Sequence, residues 1–321
     1  MEGVEYYKNY LSTVHPVRKT AGQKSEVRQW LMRELKRSGW KAHEETYGKF
    51  NGSVNIVAGD PEKAEVFLCT HYDTGSRMLI PNFVSPTNVL AHVLYHAMSA
   101  VALFAAAFGV SLAVCFPLNK PQWMLPLFIV LALASLGFAA FGPANRANVN
   151  GGDSGVLVLL ELAREAAYDK RVCLVLFDNN ERNLLGAAAF KKKHGSAAAS
   201  RLFIDLDCVG DGEYLLLLPS KHSRWDGALL DALAEAFPEG EAVRPVLRAK
   251  GLHYYPSDNR RFKFHVAVCA CRYTAGLGFY IPRLRTKRDT VLRLENIGYA
   301  AAGLARFLPL YLEENKAAER R

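Results

Sequence analysis

A histidine and an aspartate with one residue between them, His71 and Asp73, are the first side chains in this sequence whose types and spacing could do chemistry. They directly follow residues 64–70, a nearly all-apolar run that predicts a buried strand. Alternation along a strand puts the two side chains on one face, so Asp73 could orient the His71 imidazole as a metal ligand. A lone His-x-Asp is a weak signal, because polar residues also end strands that carry no site.

Four further polar segments occur where predicted strands end or helices begin. They are residues 177–186, 204–210, 257–262 and 286–290. In order and spacing, the five segments resemble the co-catalytic zinc aminopeptidases of metallopeptidase family twenty-eight, whose fold also serves glutaminyl cyclases and non-catalytic receptor ectodomains. The resemblance covers nearly the whole chain outside an apolar insert. It implies a dizinc site held by imidazole and carboxylates, with a further carboxylate that takes a proton from the bridging water.

Four positions keep the residue types that the resemblance implies. His71 matches the first zinc imidazole, and Asp73 matches the residue that orients it. Glu181 matches a carboxylate ligand of zinc, and Asp207 matches the carboxylate ligand at the next strand end. The resemblance therefore predicts that part of a metal site persists.

Three other positions depart from the family pattern. Gly151 stands where the metal-bridging aspartate is implied, three residues before Ser154-Gly155, and the nearest carboxylate is Asp153. Asn180 replaces the general-base glutamate, and an amide cannot accept a proton at neutral pH. Arg285 replaces the last imidazole, and its permanent positive charge opposes a dication. Asp153 could replace the bridging carboxylate only if the glycine-rich loop before it bulges. These replacements predict that no active dizinc site forms, and they argue against zinc occupancy.

Three functions stay open on this basis. In the first, the chain is a pseudoenzyme that has lost catalysis, binds partners, and pairs its retained acidic residues with Arg285 in place of the metals. In the second, it is an aminopeptidase or amide hydrolase in which His71, Glu181 and Asp207, or Asp153, bind a single zinc, and Arg285 holds a substrate carboxylate or an oxyanion. In the third, the old cleft binds lipid or peptide without chemistry.

The elements that must position these residues are strands alternating with helices. The predicted strands are 53–58, 64–70, 171–177, 201–207, 214–218 and 266–273, and the predicted helices are 23–38, 154–167, about 182–193, 225–237 and 294–312. This alternation predicts an α/β fold, a three-layer sandwich with a mixed, mainly parallel central sheet. Residues 1–80 and 143–321 would form this one discontinuous domain.

The insert, residues 85–142, predicts a transmembrane helical hairpin. Between Arg77 and Arg146 the only formally charged side chain is Lys120. Residues 93–116 and 123–141 are each long enough to cross a bilayer, and residues 117–122 predict a tight turn. Segments 81–83 and 142–145 resemble those of a bacterial membrane subgroup of the same family. The alternatives are a buried hairpin in a soluble core and a hydrophobic dimer interface.

Charge and cysteine content indicate the compartment and the partners. The formal net charge is +9, and an excess of basic residues beside a membrane segment predicts a cytoplasmic main domain that contacts anionic lipid. Residues 1–16 have no apolar run typical of a signal peptide. The six cysteines lie mostly in apolar runs, which predicts free buried thiols. We expect membrane lipid and a protein partner, a homo- or hetero-oligomer with an active homologue as one candidate; a peptide ligand stays open, and nucleic acid is not expected.

Overall fold

A mixed β-sheet forms the centre of the computed structural model, which describes residues 2–48, 52–78, 80–166 and 169–319. Within these ranges the sheet has nine strands, in the spatial order β1-β2-β4-β3-β5-β8-β6-β7, with β9 paired to β8. The strands are β1 Ala42–Thr46, β2 Val54–Ala58, β3 Val66–His71, β4 Val172–Phe177, β5 Leu202–Leu206, β6 Tyr214–Pro219, β7 Arg244–Leu247, β8 His265–Thr274 and β9 Gly278–Tyr280.

Parallel pairing is confined to the middle of the sheet and to one edge. Strands β4, β3, β5 and β8 pair parallel in that order, and β6 pairs parallel with β7. The pairs β1–β2, β2–β4, β6–β8 and β8–β9 are antiparallel. The sheet is therefore mixed, as predicted, but the prediction that it is mainly parallel is wrong. Strands from both sides of the insert pair with each other, since β3 lies between β4 and β5.

Helices cover both faces of the sheet. They are α1 Glu2–Val14, α2 Ala21–Arg37, α3 Val89–Cys115, α4 Met124–Phe141, α5 Ser154–Glu165, α6 Leu185–Lys193, α7 Gly195–Ser200, α8 Gly227–Ala236 and α9 Leu294–Glu319. One buried cluster joins α1, α2, α5, α8 and α9 to one face of the sheet, and a second joins α6 and α7 to the other face. The layers are those of an α/β sandwich. All six cysteines are buried and free, as predicted.

Local chemistry explains where two helices begin. Helix α2 starts two residues before the predicted start, because Thr20 and Gln23 form a capping box that satisfies the first backbone N–H groups. Helix α6 starts three residues after the predicted start, because Asn183 and Leu184 adopt left-handed conformations with φ of 61° and 57°. The prediction omitted α1, α7, β1, β7 and β9.

The insert forms two helices that pack along each other, α3 and α4. The candidate spans, Val89–Cys115 and Pro121–Ala139, are 27 and 19 residues long, and only 17% and 6% of their most apolar windows are buried. Both are long and apolar enough to cross a membrane. Exposed apolar side chains cover the pair, including Met98, Val101 and Leu125. A hairpin buried in a soluble core would hide these side chains, so that alternative does not describe the structure.

Candidate active site

The carboxyl ends of β3, β4 and β5 meet at one edge of the sheet, where they enclose a small cavity of about 60 Å³. Six of the positions discussed above line it: His71, Gly151, Asn180, Glu181, Asp207 and Arg285. The alternation of strands and helices thus brings together residues that are more than 200 positions apart in sequence. Asp73 and Asp153 do not line the cavity.

His71 lies between two carboxylates. Its Nδ1 is 3.3 Å from Asp73 Oδ1, and its Nε2 is 3.7 Å from Asp207 Oδ1. Burial by itself lowers the pKa of His71, but the interactions with Asp207 and then Asp73 outweigh it and raise the pKa well above its ordinary value. In the metal-free chain the two carboxylates therefore favour the protonated ring, and a metal ligand would first have to lose that proton.

Asp73 ties the histidine to the loop that follows β4. Its Oδ1 accepts a hydrogen bond from the Asn180 backbone N–H at 3.1 Å, and its Oδ2 accepts one from the Glu181 N–H at 3.3 Å. Burial raises the pKa of Asp73, but His71 and these donors lower it below its usual range. Asp73 is an ionised group that positions both His71 and the loop that carries Glu181.

Asn180 is fixed by a carboxylate to which the sequence assigned no role. Its Nδ2 donates to Asp258 Oδ2 at 2.9 Å. Asp258 is fully buried, and burial together with the nearby Asp205 raises its pKa well above its usual range. The signal that could have found Asp258 was its segment, Ser257 to Phe262, which carries the family resemblance but gave no contact by itself. The side-chain amide of Asn180 is thus hydrogen-bonded to Asp258, whereas a general base at this position would have to contact a water molecule.

Glu181 and Arg285 form an ion pair, Oε2 with Nη2, within the same cavity. The pair is the one expected from the sequence if retained acids face Arg285. Gly75 allows it, because a Cβ at that position would clash with Glu181 Oε1 and crowd Arg285 Nε. The Arg285 carbonyl accepts a hydrogen bond from the Met78 N–H at 2.7 Å, so its backbone is held as well. The charge of Glu181 is thereby matched by a side chain rather than left for a cation.

Asp153 is committed elsewhere. Its Oδ1 is 2.6 Å from Arg18 Nη2, and both side chains are almost fully buried. Arg18 also donates through Nε to the Tyr72 carbonyl at 2.6 Å and through Nη1 to the His15 carbonyl at 3.0 Å. The loop Val149–Asp153 forms a single π-helical turn rather than a bulge that presents Asp153 to His71. The expectation that Asp153 supplies a metal ligand therefore finds no support in its contacts.

Gly151 lines the cavity on the side of Asp289. The Asn150 N–H donates to Asp289 Oδ1 at 3.1 Å, and the Gly151 N–H donates to Oδ2 at 3.4 Å. A Cβ on Gly151 would lie 3.1 Å from Asp289 Oδ2 and 3.3 Å from Asn148 Oδ1. Backbone groups and Asp289 thus fill the place where a bridging carboxylate would stand.

The residues that line the cavity do not fit a zinc site. Among residues 2–48, 52–78, 80–166 and 169–319, no group of three or more His, Cys, Asp or Glu side chains is arranged to hold a metal ion. The reasons are local: Glu181 is paired with Arg285, whose positive charge stands in the cavity, and His71 is engaged by Asp73 and Asp207. No catalytic step through a metal follows from this arrangement.

Comparison with known proteins agrees with the fold and the order of the motifs. Residues 149–280 match the sequence profile described as Peptidase family M28. This match covers less than half of the chain, and within it the sequence is similar to that of the family. No curated protein matches the sequence.

Solved structures of an aminopeptidase, a glutaminyl cyclase and an exopeptidase share the fold of this chain. The LapA aminopeptidase of Legionella pneumophila has a TM-score of 0.59 at 12% identity, over 97% of this chain and 70% of that one. The glutaminyl cyclase of Porphyromonas gingivalis has a TM-score of 0.56 at 16% identity, over 95% of both chains. A Zn-dependent exopeptidase from Parabacteroides distasonis has a TM-score of 0.56 at 16% identity, over 96% of both chains. At these identities the likeness shows the fold alone.

Proposed function

We propose that this chain is a membrane-anchored pseudopeptidase of family M28 that acts as a binding or partner subunit. The observation that carries the proposal is the ion pair of Glu181 with Arg285, at the two positions where the family resemblance implies metal ligands. Breaking that pair to admit a metal would leave a guanidinium beside a dication. The site residues favour a filled and self-neutralised cavity over an open metal centre.

The site also lacks the group that would accept a proton from water during hydrolysis. Asn180 stands at the general-base position, and its amide donates to Asp258. Loss of a positioned general base typically lowers the rate by roughly 10²–10⁴-fold. The other carboxylates near Asn180 are engaged by His71, by Arg285 or by backbone N–H groups. No carboxylate lining the cavity is left to take this role among the described residues.

Access to the site is narrow as well. Binding pockets for small molecules usually enclose ~300–1,000 Å³, whereas this cavity measures about 60 Å³. The segment that leads to the hairpin covers it, because Asn82 and Val84 line the cavity. The Asn82 N–H donates to the Leu284 carbonyl at 3.0 Å, and the Ile281 N–H donates to the Val84 carbonyl at 2.8 Å. A peptide N-terminus could enter only if these bonds broke.

The hairpin supplies the anchor in this proposal. Helices α3 and α4 are long and apolar enough to span a bilayer, and the nearest charged residue on each side of them is an arginine, Arg77 or Arg146. Both ends of a hairpin lie on one side of the membrane, and basic flanks favour the cytoplasmic side. The apolar surface of α3 and α4 can face lipid or the helices of a membrane partner, such as an active homologue.

An assay of hydrolysis tests the proposal. The full chain, purified in detergent, is given a series of aminoacyl-nitroanilides with and without added zinc, beside the Glu181→Ala variant. We expect no difference in rate between the chain and the variant. Zinc-dependent cleavage that Glu181→Ala abolishes would establish a single-metal hydrolase instead. Purification from native membranes as a monomer without any partner would contradict the role as a partner subunit.

A further inference from the structure

A second and larger cavity, of about 640 Å³, has a strongly basic lining. We call it the basic cavity, and its cationic residues are Lys191, Lys221, Arg224, Arg260, Arg261 and Lys263. It also contains three histidines, His222, His253 and His265. No Asp or Glu belongs to this lining in the described part of the chain. A cavity with six cationic side chains and no acidic one concentrates positive potential and attracts an anion.

The cations of the basic cavity are not neutralised by neighbouring carboxylates. None of the six forms an ion pair within the ranges that the structure describes; their contacts are with neutral groups. Arg224 Nη1 donates to the Gly251 carbonyl at 3.3 Å, and the Arg260 guanidinium lies 5.1 Å from the centre of the Tyr254 ring. The six cations share one lining without a counter-charge, and a bound phosphate would neutralise them through charge-assisted hydrogen bonds.

The basic cavity lies beside the first turn of α3. Tyr254, in its lining, donates its backbone N–H to the Pro86 carbonyl at 2.8 Å, and its ring is centred 5.4 Å from the ring of His92. The next turn of α3 is also bound to the domain, because the Tyr95 hydroxyl donates to the Pro81 carbonyl at 2.9 Å. The wall of the cavity is therefore continuous with the base of the hairpin.

The length of α3 indicates where the base of the hairpin lies relative to the bilayer. Its 27 residues rise about 40 Å, and the hydrocarbon core of a bilayer is roughly 30 Å thick. The first two turns are the part that contacts the domain, so the excess of about 10 Å lies at that end. His92 and Tyr254 then lie at the level of the lipid headgroups.

The rim of the basic cavity carries exposed apolar side chains. Trp225, next to Arg224, is 83% exposed, and Leu252, in the lining, is 76% exposed. The Arg224–Gly251 hydrogen bond holds the two segments together. Tryptophan is enriched at membrane interfaces, and apolar residues beside basic ones are typical of surfaces that lie on anionic bilayers.

We propose that the basic cavity binds the phosphate of an anionic phospholipid headgroup, with Trp225 and Leu252 in the interface above it. The inference rests on the membrane anchoring proposed above and adds a specific lipid site to it. A soluble phosphate compound would satisfy the same cations but would leave Trp225 and Leu252 in water. The exposed rim and the position beside α3 favour the lipid.

Titration of the purified full chain with lipid tests the inference. In neutral detergent, the thermal midpoint is followed as phosphatidylglycerol, phosphatidylcholine or soluble glycerol phosphate is added, since a ligand that binds the folded state raises it. We expect saturable stabilisation by phosphatidylglycerol only. The Lys221→Glu/Lys263→Glu variant should weaken its apparent affinity by roughly tenfold or more, because each basic residue near an anionic surface contributes about 1 kcal/mol.

The control is Lys36→Glu/Lys41→Glu, which changes the net charge equally at two exposed lysines outside the basic cavity. It should leave the titration unchanged. Equal losses in both double variants, equal stabilisation by phosphatidylcholine, or stabilisation by glycerol phosphate to which the lipid adds nothing would each overturn the lipid site. Release of the chain from membranes by alkaline carbonate would instead overturn the hairpin anchor, whatever the titration shows.

Discussion

Two halves of the candidate site differ in how the chain holds them. His71 ends β3 and Asp207 directly follows β5, so hydrogen bonds of the sheet fix both residues. Gly151, Asn180 and Arg285 lie on loops. The strand-end half keeps the residue types of the family resemblance, whereas the loop half keeps Glu181 but has replaced these three. Loops accept such changes without disturbing the core, and for that reason the residues of a site can change while the fold persists.

The retained residues have structural partners in this arrangement. Asp73 holds the backbone of Asn180 and Glu181, and His71 lies charged between Asp73 and Asp207. Retention of a family residue is thus explained by packing and charge in the folded chain. It does not by itself indicate that a metal binds.

The largest expected effect concerns the buried ion pair of Arg18 with Asp153. It lies beside the strand-end half, because Arg18 also donates to the carbonyl of Tyr72, the residue after His71. Arg18→Met would leave Asp153 buried without its partner, and breaking such a pair costs about 3–5 kcal/mol in the free energy of unfolding. Arg37→Met is the control, since Arg37 is exposed in its pair with Glu34 and exposed pairs contribute under about 1 kcal/mol. Denaturant unfolding in detergent measures both. Equal effects of the two variants would show that Arg18 does not support this half.

A smaller effect is expected in the loop half, where Glu181 and Arg285 are partly exposed to solvent. Glu181→Gln and Arg285→Met should each destabilise the chain by about 1–2 kcal/mol, because each leaves the other charge without its partner. The double variant should lose less than the sum of the two. Strictly additive losses in this double-mutant cycle would mean that the two charges do not stabilise each other.

The pH dependence of stability offers a third test, at Asp289, which accepts hydrogen bonds from the loop that carries Gly151. Burial raises the pKa of Asp289 from 3.8 to about 7. Because the folded state binds this proton more tightly, the contribution of Asp289 to stability is full below about pH 3.8 and is lost as the pH rises through about 7. In the natural chain the free energy of unfolding should therefore fall by about 1 kcal/mol per pH unit between about pH 3.8 and 7. In the Asp289→Asn variant this fall should be absent. Parallel pH profiles of the natural chain and the variant would contradict the assignment.

The sequence predicted the order of the elements because their apolar runs are long and periodic. Strands such as β3 and β4 are buried along their whole length, which an uninterrupted apolar run indicates. Short or polar elements carried no such signal: three of the five residues of β1 are exposed, and β7 has only four residues, one of them a proline. The mixed pairing of the outer strands also depends on tertiary contacts that no local pattern records.

The site was predictable in its residues but not in their partners. Motif order assigned positions to His71, Glu181 and Arg285, and the structure brings them to one cavity. The bond from Asn180 to Asp258 joins residues 78 positions apart, and the pair of Arg18 with Asp153 joins residues still farther apart. Such contacts follow from the folded topology, so spacing along the chain could not give them.

Zinc content tests the central claim most directly. The natural chain, the double variant Asn180→Glu/Arg285→His and the triple variant that adds Gly151→Asp are purified in detergent without chelators and compared by elemental analysis. The double variant serves as the comparison because an aspartate at 151 would crowd Asp289. We expect no stoichiometric zinc in the natural chain and uptake of zinc by at least one variant. About one zinc per natural chain would contradict the account, because Glu181 and Arg285 would then have to separate to admit it.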